Sequence, residues 1–290
     1  MHPNLLVGAF TLLAAMQFAG ATLLVKRSVQ EIDSVTGALV AIGVSLAVFA
    51  VPAPFLISWE DWGSPAVWVF AAIGLLRPAF STMLAFEGNR VLGPTVAVTV
   101  ESISPLFAVT GGVLLLSETL TLGAALGSLG VVAGVMVLTY QGGGRREWPL
   151  WALVLPLGAA LIRSSAHVGA KWGLNILPNV LLSGLVAYAV SFVIAFGMAM
   201  WRGEAGKVRV SRRAWRWLLP TGLLNAGAIF SLNMGLMLGE VGLVSPLAAT
   251  VPVFTLLGSW WFYGRASFTG QTVVGVLLVV PSVVLVTLSH

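Results

Sequence analysis

Three ionisable side chains, Arg77, Glu101 and Arg163, fall inside long apolar stretches, and His167 follows the last of them by one helical turn. An uncompensated charge at the centre of a bilayer costs roughly 2.5–3.5 kcal/mol on insertion scales, so such groups pair with one another or border water. Arginine presents planar donors that match carboxylate and phosphate, while a glutamate in such a place can change its charge by taking a proton. At a rise of about 1.5 Å per residue, Arg77 is expected roughly 14 Å from the cytoplasmic end of its span and Glu101 roughly 15 Å from the start of the next, which puts them at one depth. Two uses follow. Arg77 and Glu101 can brace consecutive helices as an ion pair, or Glu101 can serve as a proton-coupling group while Arg77 holds a carboxylate or phosphate. The Arg77-Pro78 step removes a helical hydrogen bond beside the charge, as expected where backbone borders a wet cavity.

Arg163, His167 and Lys171 recur every fourth residue and share one stripe of their helix, with Ser164 alongside. The stripe suits an anionic or zwitterionic ligand; Lys171 is expected at the membrane interface. Gln17, Asn225 and Asn233 are amides deep in apolar runs, able either to contact a ligand or to join helices. Pro78, Pro105, Pro246 and Pro252 mark positions where helices bend or hinge. Gly111-Gly112 and Gly123 through Gly127 read as close-packing faces.

The elements that must carry these groups follow from composition. Of 290 residues only 25 are charged, 58% are hydrophobic, and mean hydropathy is +0.98. These values exclude a water-soluble enzyme, a disordered chain and a fibrous repeat. Apolar runs continuous over twenty residues exclude a barrel and leave an all-α integral membrane protein. The net charge of +5 reflects basic cytoplasmic loops rather than nucleic acid. With no cysteine and scattered histidines, neither a thiolate site nor any other metal site is expected. The phosphate-binding glycine loop, HExxH and GxSxG are absent.

Ten segments are long enough to cross: 5–25, 34–57, 65–86, 91–116, 122–140, 149–170, 178–201, 217–238, 241–263 and 269–289. Tryptophans 59, 62, 68, 148, 151, 201, 215 and 217 lie near their ends, where indole prefers the headgroup region. The odd-numbered connections hold twelve basic residues: Lys26, Arg27, Arg90, Arg145, Arg146, Arg202, Lys207, Arg209, Arg212, Arg213, Arg216 and Arg265. The even ones hold only Lys171. The odd connections are therefore expected in the cytoplasm and both termini outside.

The sequence also repeats. Residues 86–139 laid over 233–286, a shift of 147, match Pro105 with Pro252, Phe107 with Phe254, Gly111 with Gly258 and Gly123 with Gly270. A shift of 145 matches Ala14-Ala15 with Ala159-Ala160 and Lys26 with Lys171. Two units, 1–145 and 146–290, then hold five spans each. An odd number makes the second enter the membrane from the opposite side, the usual frame of secondary transporters.

The motifs Ser104-Pro105-Leu106-Phe107 and Val251-Pro252-Val253-Phe254 resemble the fourth helix of the EamA branch of the drug/metabolite transporter superfamily. Leu114-Leu115-Leu116-Ser117-Glu118-Thr119-Leu120, followed by the glycine-rich stretch 126–135, is similar to the family's LLLGE-x-L tail; in the second unit Arg265 stands where the glutamate is expected. The resemblance implies a carrier of a small organic metabolite, working by export or exchange with alternating access around a central cavity and without a cofactor. The charges favour a carboxylate- or phosphate-bearing solute such as an amino acid or organic anion. Protons or a counter-substrate would supply the energy, since no nucleotide-binding motif is present. A lipid flippase or accessory subunit on the same frame is the alternative. A membrane-embedded lipid enzyme fits poorly, because no nucleophile and base, paired carboxylates or metal ligands converge. The expected location is a plasma membrane, the inner membrane in a bacterium.

Overall fold

The computed structural model describes residues 3–28, 34–77, 81–92, 94–139, 149–201, 211–263 and 270–289. Among these the chain is helical throughout, with no strand. The helices are α1 (Pro3–Ser28), α2 (Ser34–Ala50), α3 (Ala53–Leu56), α4 (Ala66–Leu75), α5 (Ser81–Leu92), α6 (Pro94–Glu101), α7 (Ser104–Leu116), α8 (Leu122–Thr139), α9 (Val154–Ile176), α10 (Val180–Trp201), α11 (Arg212–Leu238), α12 (Val241–Ala248), α13 (Val251–Tyr263) and α14 (Gly270–Ser289). Among the described residues eight stretches are long and apolar enough to cross a membrane, and 66–75 and 273–289 are shorter apolar helices. Leu114, Leu115, Leu122, Val193 and Leu277 expose more than half of their surface, as lipid-facing side chains do.

Two expectations need correction. The third segment is not one helix: α4 ends at Leu75, a wider turn carries Leu76 and Arg77, and α5 begins only at Ser81 and runs on to Leu92. The connection expected at 87–90 is therefore helical, and only position 93 separates α5 from α6. The fourth and ninth segments are broken rather than bent. Pro105 and Pro252 lack the N–H that would reach back to residues 101 and 248, and each helix restarts just before its proline. The same two bonds close both breaks. Ile103 N–H donates to Val100 at 3.2 Å and Leu106 N–H to Ile103 at 2.9 Å; Thr250 N–H donates to Leu247 at 3.2 Å and Val253 N–H to Thr250 at 2.9 Å.

The bounds of α6 and α7 become those of α12 and α13 when 147 is added. Contacts repeat with the bounds: α1 packs on α11 as α9 packs on α4 and α5, α2 on α11 as α10 on α4, and α7 on α9 as α13 on α1. The matching helices α2 and α10 touch each other, as do α8 and α14. Both pairs run antiparallel, because Gly43 faces Phe192 while Gly184 faces Phe49, and Gly123 faces Ser289 while Gly134 faces Gly275. Glycine is required in the second pair: a Cβ on Gly127 would stand 2.8 Å from the Ser282 carbonyl oxygen, and one on Gly134 3.0 Å from that of Gly275. The main core joins Val7, Ala14, Phe70, Ala108, Val168, Leu182, Leu236, Leu243 and Leu247, drawn from seven helices of both halves.

Candidate functional site

On α9 the side chains of Leu161, Trp172 and Ile176 are exposed, whereas Pro156, Ala159, Ala160, His167, Ala170 and Leu174 are buried. Arg163 falls in the middle of the buried set by its 3.6-residue spacing, yet its side chain keeps 39% of its surface. Arg77 continues the buried row Ala66, Phe70, Gly74 of α4 and is likewise only partly covered. Asn225 lies on the row Leu218, Thr221, Ala228, Leu232, Leu236 of α11, all buried, opposite the exposed Leu219, Leu223 and Phe230. It too stays partly open, and its amide makes no hydrogen bond to the described residues. Arg77, Arg163 and Asn225 thus share one trait: each lies on the inward face of its element without being enclosed.

Glu101 lies beside Arg163. As the last residue of α6, at the break before α7, its carboxylate sits at the negative end of a helix dipole and is 9% exposed. Arg163 Nη2 donates to Glu101 Oε2 at 2.9 Å. The expected Arg77–Glu101 brace is thus not formed; Arg163 takes the carboxylate, because α6 packs on α9 whereas the break after Leu75 leaves Arg77 on the α10 side. Arg77 meets no carboxylate among the described residues. It stands within electrostatic reach of Arg163, His167 and Tyr188. Its own carbonyl and that of Gly74, freed by the break, lie 2.7 and 2.9 Å from Ser191 Oγ on α10.

Around this centre the remaining polar groups are tied to protein. His167 Nδ1 is 3.2 Å from Ser245 Oγ, joining α9 to α12. Tyr188 hydroxyl, which bonds Ser45, donates to the Asn225 carbonyl at 3.3 Å, and its ring stacks on Phe49. Gln17 Oε1 accepts from Ser231 at 3.2 Å and Asn233 donates to Ser183 at 3.3 Å; both amides fasten α11 to a neighbour, so of the three only the Asn225 amide has no hydrogen bond to the described residues. Pro105, Pro246 and Pro252 lie at or near the helix breaks. Pro78 lies outside the described residues, as do Trp148 and the connections holding Arg145, Arg146, Arg202, Lys207, Arg209 and Arg265. Sequence reasoning missed Tyr188, Ser45 and Ser245. A tyrosine in mid-span, one of three in the chain, was the available signal, since its hydroxyl demands a partner.

The even-numbered connections meet at one end of the molecule. Asn179 donates to Asp61 at 2.9 Å, and Lys171 is close to both Glu118 and Glu240. Glu118, in the connection between α7 and α8, accepts from the Val241 and Gly242 amides at 2.7 and 3.0 Å and so caps α12 across the two halves. Burial pushes its carboxyl above the usual glutamate range; the two amides and Lys171 oppose that shift and Glu240 adds to it. The preceding Ser117 adopts a left-handed backbone (φ 56°) so that the Glu118 N–H can reach the Gly112 carbonyl.

Two stretches, residues 6–140 and 150–288, each match the EamA-like transporter family. The chain belongs to the EamA-like transporter family. Its architecture is accordingly the family's two-repeat frame, and it is a multi-pass membrane protein of the drug/metabolite transporter superfamily. A solved crystal structure covers 97% of this EamA-like chain and 96% of its own with a TM-score of 0.82. At 18% identity that likeness concerns the fold alone. No curated protein sequence matches.

Proposed function

We propose that this EamA-like chain is a secondary transporter, an exporter or exchanger, for a small organic metabolite bearing a carboxylate or phosphate, an amino acid or organic anion for example. Ten crossings form two inverted five-helix repeats, 1–145 and 146–290, that rock about the interior between them. The antiparallel packing of α2 on α10 and of α8 on α14 supports the inversion. So does the meeting of the even-numbered connections at one end, which the loop charges make the outer end. The observation that carries the reading is Arg77: a guanidinium on the buried face of a broken helix, near a second one, with no carboxylate of its own among the described residues.

Arg77 and Arg163 bind the solute's anion, with Asn225 on the opposite wall. Gln17 and Asn233 hold that wall in place, His167 fixes the Arg163 helix against α12, and Glu101 is the proton-coupling group. The breaks at Pro105 and Pro252, with Pro246 beside the last, supply hinges, and the Pro78 position is a further hinge. No catalytic role is assigned, and small solutes and the bilayer are the partners. The test is thermal stabilisation and proteoliposome uptake across amino acids, organic acids and phosphorylated compounds, comparing the intact chain with Arg77→Ala and Arg163→Ala. Anionic or zwitterionic solutes should stabilise the intact chain and lose that effect in both variants. Stabilisation by cationic or neutral solutes alone, unchanged in either variant, refutes the anion site.

A further inference from the structure

Among the described residues two inward-facing guanidinium groups, Arg77 and Arg163, accompany one carboxylate, Glu101, and the three are unevenly placed. Glu101 is nearly enclosed behind Arg163, while Arg163 itself keeps 39% of its side-chain surface and gives Glu101 a single bond at 2.9 Å, with its other donors unspent on that carboxylate. Arg77 is close to Arg163 and takes no part in the pair. A solute anion held by Arg77 therefore arrives beside a guanidinium already occupied by a second anion. Two carboxylates competing for one guanidinium in a poorly solvated space repel each other, and a proton on one removes the conflict.

We propose that Glu101 takes up one proton with each solute anion bound: protonation releases Arg163 from Glu101, and the freed guanidinium joins Arg77 on the solute's carboxylate. This rests on the anion-carrier reading with Glu101 as its coupling group, and adds to it the one-to-one stoichiometry and the transfer of Arg163 from Glu101 to the solute. The proton passes from water to a Glu101 carboxylate oxygen, no other covalent bond changes, and a proton with a monoanion adds no net charge. The charged core is thus equally charged empty and loaded, so its reorientation carries no penalty for a changed buried charge.

The surroundings leave Glu101 as the group that titrates. Of the helices packed on α6, α9 presents Arg163 and, a turn beyond, His167, whose Nδ1 is engaged by Ser245. On α8 there is no ionisable residue. On α5 stand Glu87 and Arg90; Gly88, next to Glu87, meets Pro156, roughly two turns of α9 from Arg163. Arg77, in the segment before α5, is near Arg163 and forms no pair with Glu101.

The experiment measures binding of lactate, pyruvate and alanine to the purified full chain in detergent between about pH 6 and 8, where none of the three changes charge appreciably. Linkage requires affinity to rise about tenfold for each unit fall in pH above the Glu101 titration. Weakly buffered protein should take up one proton for each anion bound, read with a pH dye. Glu101→Gln should bind with the acid-limit affinity of the intact chain, independent of pH and without proton uptake. Binding without proton uptake by the intact chain overturns the proposal whatever the variant does, as does a pH slope that survives in Glu101→Gln. Should none of the three bind the intact chain or move its melting temperature, the anion-carrier reading falls, and this inference with it; that outcome is distinct from binding without a proton.

Discussion

Replacing Glu118 by alanine should loosen the molecule at one end. Both of its carboxylate oxygens are in use, one on the Val241 amide at 2.7 Å and the other on the Gly242 amide at 3.0 Å, and both of those residues are buried. A buried N–H left without an acceptor costs about 1–3 kcal/mol. Two such groups at a helix start, where water can partly replace the carboxylate, give about 2–4 kcal/mol. For a chain of this size that corresponds to a melting temperature lower by roughly 4–8 °C. Glutamine keeps one carbonyl oxygen for the same amides, so Glu118→Gln should lose only about 1 kcal/mol. The eleven tryptophans make intrinsic fluorescence during heating in detergent a direct readout. If Glu118→Ala melts within a degree of the intact chain, or if glutamine proves no better than alanine, the capping role is wrong.

Titration of the same residue gives a second outcome. Because burial raises its pKa in the folded chain, the stabilisation it confers is fully present below its ordinary value of 4.5 and fades as pH rises through the raised one. The intact chain should therefore lose melting temperature relative to Glu118→Gln on going from about pH 5 to pH 8, and a constant difference contradicts this. Arg163→Ala strands the Glu101 carboxylate and should cost about 2–3 kcal/mol, less than a fully buried pair because Arg163 is partly open; adding Glu101→Gln should recover at least half in thermal unfolding. Asn233→Ala should lower stability by about 1 kcal/mol through its bond to Ser183, whereas Asn225→Ala should leave melting within about 0.5 kcal/mol and weaken solute binding instead. Ser117→Gly should stabilise by about 0.5–1 kcal/mol, since glycine adopts the left-handed backbone found there without penalty.

Much of this architecture is legible in the chain. Apolar runs and the shift of 147 locate the helices and pair them, because bilayer thickness sets span length and duplicated breakers set repeated breaks. The glycines of α8 announce its close approach to α14 because only a missing Cβ admits a neighbouring backbone there. Arg77, Glu101, Arg163 and Asn225 stand out as polar groups in apolar surroundings. Pairing among them was another matter. Equal depth along two consecutive helices pointed Glu101 at Arg77, but depth says nothing about which faces meet. That is fixed by α6 lying on α9, a contact between residues some sixty apart in sequence. The division of the amides was hidden for the same reason: Gln17 and Asn233 find hydroxyls on other helices, and Asn225 does not.

The cap that Glu118 places on α12 has no twin among the described residues of the other half. Adding 147 to Glu118 gives Arg265, and subtracting it from Val241 gives Pro94, which has no N–H to offer. In a carrier of the proposed kind, the latch at one mouth is then worth about 2–4 kcal/mol with nothing equivalent among the described residues opposite, a bias of roughly thirty- to a thousandfold between the two closed postures at rest. Gene duplication alone would have left a seesaw balanced at its pivot; divergence at two positions weights one arm, so the solute's work is to tip a beam that already leans.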